Sequence, residues 1–350
     1  MEAISNRYLG ELSEKERKTI DKVLEQYDFQ TISCSKVRSV YKIETTSGII
    51  CLKRIKHGRH KPNNGSILVQ ELIERNFYNI AKYYKTKDGR VYVRYKKMLF
   101  YVTEWIDGVE CDLNNIDEAL NCVKLLAEFH VAANSIDTSK LRVKNNLINW
   151  PKKFNASVQD LEKFQRVIDR KRIKSEFDSI YSSHIDSFYY RGMISLNFLN
   201  TSDYYRLSKE ASKNKSICHD SFYYQNIIKR DSSYYIIDLD SIMIDLHVND
   251  LGKLIRRLMF KKSYQWDFEK ARRLIDAYAS VNKLSKSELE VMLALIIFPH
   301  KFWKLGKRRY IKHKGWDEAK YMRKLTKLIK YNELQIKFLE DYLSFLKEYQ

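Results

Sequence analysis

The chain has 350 residues, 44% of them hydrophobic, and a formal net charge of +20. That is enough apolar material for one large or two modest cores, and only 3 prolines and 10 glycines exclude a collagen-like or loop-dominated chain. The charge calls for an acidic partner (nucleotide phosphates, nucleic acid or an acidic protein surface) without choosing among them.

In chain order, residues 1–30 read as polar and helical, with Ile20, Val23 and Leu24 on one side. No apolar core of a secretory signal is visible at the start. From Ser39 to Arg54, two short strand-like runs carrying Val40, Ile43, Ile49 and Leu52 flank Thr46-Ser47-Gly48, a hairpin pattern that places Lys53 at a strand end. HGRHKPNNGS reads as a loop, and Ile67–Tyr84 as a helix carrying Glu71 and Glu74. After a turn at Gly89, the apolar run Met98–Ile106 breaks at Asp107-Gly108. Beyond that break the pattern is helical, including Ile116–Ala133 and Asn155–Ile185, apart from a strand pair around Asn226 and Asp238.

The reading is therefore α+β and two-lobed: a small β-rich part over residues 1–107 and a larger, mostly helical part over residues 108–350. The apolar run Val291–Phe298 is too short for a bilayer and reads as a buried helix. Nothing targets the chain to a membrane. Five scattered cysteines (Cys34, Cys51, Cys111, Cys122, Cys218) form no CxxC pair and read as reduced thiols. Basic residues crowd 301–330. An apolar stripe of Tyr321, Leu325, Leu328, Tyr331, Leu334 and Phe338 favours one helix that buries the stripe and displays its lysines, over a dedicated anion-docking face.

No HExxH, clustered zinc ligands, GxSxG elbow or Walker A loop is present. What stands out is ICHDSFYYQNII followed by YYIIDLDSI. Asp238 lies inside an apolar run, where an unpaired charge is costly. Asn226 and Asp238 offer the hard oxygen ligands that magnesium prefers, with Asp240 as the fallback, two residues on along the same strand face.

The order of these pieces resembles the kinase-like fold in its aminoglycoside phosphotransferase and choline kinase branch, and within it the CotS family of spore-coat-associated proteins. The match is carried by Lys53 in ICLKR, EWIDG at Glu104–Gly108, LLAEFH at Leu125–His130, CHDSFYYQN, IIDLDS, DLGKLIRRL from Asp250 and FPHKFWKL at Phe298–Leu305. It covers nearly the whole chain. It implies ATP and Mg2+ as cofactors, with Lys53 on the nucleotide phosphates and Glu71, or its neighbour Glu74, as its carboxylate partner. Glu104 would lie at the hinge, and Asn226 and Asp238 would hold the metal. His219 and Asp250 would brace the loop, Asp250 as a helix N-cap, while His130 and the FPHKFWKL aromatics pack in the core.

Two departures bear on activity. The family loop runs His-x-Asp, four residues, then Asn, and that register puts Ser221 in the place of the catalytic acid, with Asp220 one residue early. A shift of about 3.3 Å along the backbone is large where a misplacement of about 1 Å can cost roughly a hundredfold. The region SCSKVRSVYKI also lacks glycine, so it cannot form a φ > 0 phosphate loop, leaving Lys36 or Arg38 to compensate by charge. Either Asp220 is recruited as base or phosphoryl transfer is weakened or lost. The departures favour the latter, and the resemblance then implies a pseudokinase-like, nucleotide-binding coat protein, made in the mother cell and deposited on the spore coat with other coat proteins as partners. The alternative is an active ATP/Mg-dependent phosphotransferase with an unknown hydroxyl acceptor. A nucleic-acid binder, resting on charge alone, ranks last.

Overall fold

A computed structural model describes residues 9–10, 12–55, 58–134 and 136–349. They form two compact units. The first comprises the chain up to Cys111, Val131–Lys144 and His219–Met243; the second comprises Asp112–His130, Asn145–Cys218 and the chain from Ile244 onward. The segment bearing Asp220, Ser221, Asn226 and Asp238 is thus part of the first unit.

The first unit is built on an antiparallel sheet: β1 (Leu9–Gly10), β2 (Thr31–Val37), β3 (Val40–Thr45), β4 (Gly48–Ile55), β5 (Tyr83–Tyr84), β6 (Val93–Tyr95) and β7 (Met98–Glu104). The order is β1-β2-β3-β4-β7-β5, with β6 also on β7. The β3–β4 hairpin forms where Thr46-Ser47-Gly48 marks it, with Gly48 at φ 118°. Lys96 and Lys97, both at positive φ, make the tight β6–β7 turn.

Helix α1 (Glu14–Leu24) starts with a capping box between Ser13 and Glu16 and buries Ile20, Val23 and Leu24. These pack with Ile50 and Leu52 of β4 and Phe100 and Val102 of β7. Strand alternation then sends Lys53 and Tyr101 to the opposite face.

Helix α2 spans His60–Glu74, beginning inside the expected loop and ending ten residues before Tyr84. Pro62 is tolerated because first-turn amides have no intrahelical partner. Gly65 is required by packing: a Cβ there would lie 2.1 Å from Tyr83 Oη.

A second small sheet completes this unit. Strands Ile227–Arg230 and Ser233–Ile236 form a hairpin whose first strand also pairs with Val109–Glu110.

The second unit is helical: α3 (Ile116–Ala132), α4 (Trp150–Asp169), α5 (Glu176–Thr201), α6 (Tyr204–Asn214), α7 (Val248–Met259), α8 (Phe268–Ala279), α9 (Lys286–Ile297), α10 (His300–Gly306), α11 (Glu318–Lys330) and α12 (Asn332–Glu348). Helix α9 holds most of the apolar run noted above, is buried from Val291 to Ile297, and packs against α5, α6, α7 and α12. The stretch 155–185 is two helices, not one, because the chain turns between Arg170 and Ser175, where Ser175 caps α5. The stripe from Tyr321 to Phe338 likewise spans two helices that break at Tyr331, which leaves Leu334 38% exposed. No helix among the described residues is long and apolar enough to cross a membrane.

Asp245 anchors the start of α4. It accepts hydrogen bonds from Asn146 Nδ2 at 2.6 Å, Trp150 Nε1 at 3.1 Å and the Leu246 amide at 2.9 Å. Burial nevertheless pushes its carboxyl up to about 6.

Two predictions follow from this packing. Gly65→Ala should destabilise the protein by about 1–3 kcal/mol in urea denaturation, despite roughly 1 kcal/mol of gained helix propensity; an unchanged midpoint would show that Tyr83 gives way freely. For Asp245 the folded pKa lies above the unfolded one, so its contribution is full below about pH 4 and is lost as pH rises through about 6. Wild type should therefore gain stability relative to Asp245→Asn on acidification from about pH 7 to 4, by up to about 3 kcal/mol. A pH-independent difference between the two would refute this.

Candidate functional site

Lys53 and Tyr101 are direct cross-strand partners on β4 and β7, and the Lys53 ammonium lies 5.8 Å from the Tyr101 ring centroid. Each reaches one acid of the turn that follows the late hairpin. Lys53 Nζ donates to Asp238 Oδ1 at 3.0 Å, and Tyr101 Oη donates to Asp240 Oδ1 at 2.6 Å. A pair of side chains two residues apart on the turn thus meets a pair one strand apart on the sheet. Behind them Tyr83 stacks on Tyr101 at 5.6 Å, seated over Gly65.

Burial pushes the Asp238 carboxyl up, and the Lys53 ammonium more than reverses this, so the net shift is downward and the acid stays ionised. Asp238 does not lie within a strand, as the apolar run had suggested. Pairing ends at Ile227↔Ile236, the Ile237 amide bonds to Asn226 O at 3.0 Å, and Asp238 then turns the chain at φ 65°. Asp240, the fallback ligand, has one oxygen committed to Tyr101.

The same register brings Asn226 beside Ile237, one residue from Asp238. Asn226 Nδ2 donates to Ser221 O at 3.0 Å and lies 3.4 Å from the Ser221 hydroxyl. Its amide oxygen has no hydrogen-bond donor among the described residues. An ionised carboxylate and an open amide oxygen at neighbouring positions fit the hard-donor set of a magnesium ion.

The loop between them is held from inside. The Ser221 amide donates to His219 Nδ1 at 3.3 Å, which makes Nδ1 an acceptor, so Nε2–H donates to Ile237 O at 3.1 Å. His219 is fully buried and acts as a brace, as expected. The Ser221 hydroxyl sits 3.2 Å from the same Nδ1. Ser221 is therefore tied into the loop between His219 and Asn226, and a hydroxyl there cannot serve as a carboxylate base. Asp220 is half-buried with φ 63°, directly before it.

Other expected partners are placed elsewhere. Among the described residues Glu71 forms no ion pair, Glu74 accepts from Gln70 Nε2 at 3.2 Å, and Lys53 is paired with Asp238 instead. The sheet face that carries Lys53 already supplies its anion from the turn. Glu104 ends β7, and its carboxylate accepts the Lys82 amide at 3.3 Å. Neither front cation is left for phosphate. Lys36 pairs with Glu16 at 2.7 Å, and this bond holds the Glu16 carboxyl down near 2. Arg38 Nη2 donates to Glu110 Oε2 at 2.9 Å. The glycine-free stretch is an ordinary strand pair, β2 and β3, with Arg38 at the turn.

In the helical unit, Asp250 is not an N-cap: α7 begins at Val248. Its buried carboxylate lies 3.2 Å from His130 Nε2, and His130 Nδ1 lies 2.7 Å from Tyr278 Oη. Of the FPHKFWKL aromatics, Phe298 and Phe302 are core, stacked on Phe154 and Tyr181, whereas Trp303 is half-buried and donates Nε1–H to Asp160 Oδ2 at 3.0 Å.

Tyr101, Tyr83 and Gly65 are the members that sequence reasoning missed. Strand β7 is apolar at nearly every position and buried from Leu99 to Thr103, so no alternation marked Tyr101 as facing a site.

Comparison with known proteins gives this geometry a setting. The family described as "Spore coat putative kinase YutH" matches residues 20–342. Spore coat protein S of Bacillus subtilis (strain 168) is 24% identical over 336 residues, covering 93% of this chain and 94% of that protein. An aminoglycoside phosphotransferase from Alicyclobacillus acidocaldarius subsp. acidocaldarius DSM 446 superposes with a TM-score of 0.84 at 21% identity, over 99% of each chain. Spectinomycin phosphotransferase, solved with ADP and spectinomycin, gives 0.62 at 16% identity, over 92% of this chain and 98% of that one. At these identities the structural likeness establishes the fold, which is the kinase-like fold of the aminoglycoside phosphotransferases. With the family match extending over most of its length, the chain belongs to the spore coat kinase-like family of YutH.

Proposed function

We propose that this protein binds ATP with magnesium at the Lys53–Asn226–Asp238 site, transfers phosphoryl groups weakly or not at all, and acts in assembly of the spore coat. The observation that carries the reading is the 3.0 Å contact between the strand-end cation Lys53 and the acid Asp238, 185 residues apart in sequence.

Each group has a task. Lys53 supplies a fixed positive charge for nucleotide phosphates, held in place by its strand ladder. Asp238 and Asn226 Oδ1 would hold the magnesium, which when bound neutralises phosphate charge. Tyr101 fixes the turn so that Asp238 keeps its position. Support also comes from fold neighbours solved with nucleotide: spectinomycin phosphotransferase with ADP and amicoumacin kinase with AMP-PNP and Ca2+, at a TM-score of 0.56. The relation to spore coat protein S supports the coat role and coat proteins as partners.

Weak transfer rests on Ser221. A positioned general base contributes about 10²–10⁴-fold, and in this register the place of the acid is held by a hydroxyl bound to His219 and Asn226. The active-enzyme reading requires Asp220 to turn to the acceptor.

Thermal unfolding with ATP and Mg2+ tests binding. At about a hundred times Kd a bound nucleotide adds roughly 2.7 kcal/mol, so the melting temperature should rise in wild type. The rise should vanish in Lys53→Met and Asp238→Ala and shrink in Asn226→Ala, each compared with its own nucleotide-free melt. A rise that survives Lys53→Met would sink the site. ATP turnover tests catalysis: Asp220→Asn should change wild-type turnover by less than about threefold, whereas a fall of about a hundredfold or more would establish Asp220 as the base.

A further inference from the structure

Helix α11 buries Tyr321, Leu325 and Leu328 and carries Lys320, half-buried, and Lys324 and Lys327, exposed, at i, i+4 and i+7. The segment 301–330 holds 12 Lys or Arg against only two acids, Asp317 and Glu318. Both acids are in use. Asp317 caps α11 by accepting the Lys320 amide at 2.6 Å, and Glu318 pairs with Arg309 at 2.8 Å. Among the described residues, Lys304, Lys312, Lys314, Lys320, Lys324 and Lys327 have no carboxylate partner.

These cations are held together. Arg308, Lys314, Lys320 and Lys324 all lie within 4.8–5.6 Å of the Trp316 ring centroid. Nearby, the Lys301 ammonium sits 3.5 Å over the Phe260 ring. Burial, followed by Lys327, Arg256, Arg257 and Lys324, drives that ammonium down to about 7. Like charges at i, i+4 oppose a helix, and no anion in this segment relieves them. Asp160 and Glu318 pair with Lys307 and Arg309, and the remaining positive field is open to an external anion.

We propose that this face, formed by α11 and the loop preceding it, docks an acidic polypeptide segment whose carboxylates lie along the lysine row. Charge complementarity supplies the attraction, and the identity of the cations selects the partner. Nine of the 12 are lysines, which are point charges without the fork that favours phosphate. Two of the three arginines are engaged, Arg308 on Trp316 and Arg309 on Glu318. The Trp316 ring is already crowded by cations, so it is not an open platform for stacking bases. The proposal is independent of the nucleotide site.

Fluorescence anisotropy on the full chain tests it, using a labelled peptide of about 20 glutamates and an oligonucleotide of matched charge. The peptide should bind at about 50 mM salt and weaken steeply by about 300 mM. The triple variant Lys320→Gln, Lys324→Gln, Lys327→Gln should lose about tenfold in affinity, and Lys304→Gln with Lys312→Gln should also weaken it, with melting temperatures unchanged. Lys18→Gln with Lys22→Gln should bind as wild type, because those ammoniums already pair with Glu14 and Glu25. The proposal is overturned if the triple variant binds the peptide like wild type, if no binding appears at low salt, or if the oligonucleotide binds more tightly than the peptide through the same three lysines.

Discussion

The double tether between the sheet and the turn at 238–240 is the constraint on which the candidate site depends. Lys53 and Tyr101 are neighbours across two strands, so their tips are positioned by ladder hydrogen bonds and not by side-chain packing alone. Asp238 and Asp240 are then fixed relative to that pair by one ionic and one neutral hydrogen bond. A flexible lysine acting alone would fix little, because an exposed ion pair is worth about 0–1 kcal/mol. Here the lysine side chain is only 13% exposed, and the tyrosine bond next to it restrains the same short turn.

A second arrangement completes the site from the other side. His219, Ser221, Asn226 and Ile237 close a ring of hydrogen bonds at the open end of a two-residue turn hairpin. The ring also supports two residues in the left-handed region, Asp220 and Asp238, a conformation that costs about 1–2 kcal/mol each for an L-residue. The serine is what allows the ring to close through a side chain as well as the backbone. The contacts that order the loop therefore run through Ser221, which bonds both His219 and Asn226.

Charge is distributed differently in the two units. In the sheet unit the cations noted at the front of the sheet are matched: Lys36 with Glu16, Arg38 with Glu110, Lys53 with Asp238. In the segment around α11 most are not: among the described residues only Arg309, with Glu318, and Lys307, with Asp160, have an acid partner. Residues 301–330, with 12 Lys or Arg against two acids, supply half of the chain's net charge of +20, so the total charge carries little information about the site that holds Lys53.

Much was legible from residue order alone. The hairpin at Thr46-Ser47-Gly48, the buried face of α1, the apolar helix α9 and the α+β division are set by short-range periodicity and turn chemistry, which act over a few residues and are written in the local sequence. Asp238 could be picked out as an acid in an apolar run, whereas Lys53 and Asn226 became candidates through the order of motifs that resembles the kinase-like fold. The start of α2 was obscured because Pro62 and Gly65 resemble loop residues until the tyrosine packed against Gly65 is known. The partner of Lys53, the commitment of Lys36 and Arg38, and the roles of Tyr101 and Ser221 were decided only by tertiary structure. Each is a contact between residues distant along the chain, set by strand register and by which carboxylate first comes within reach, and neither quantity is encoded in the spacing of residue types.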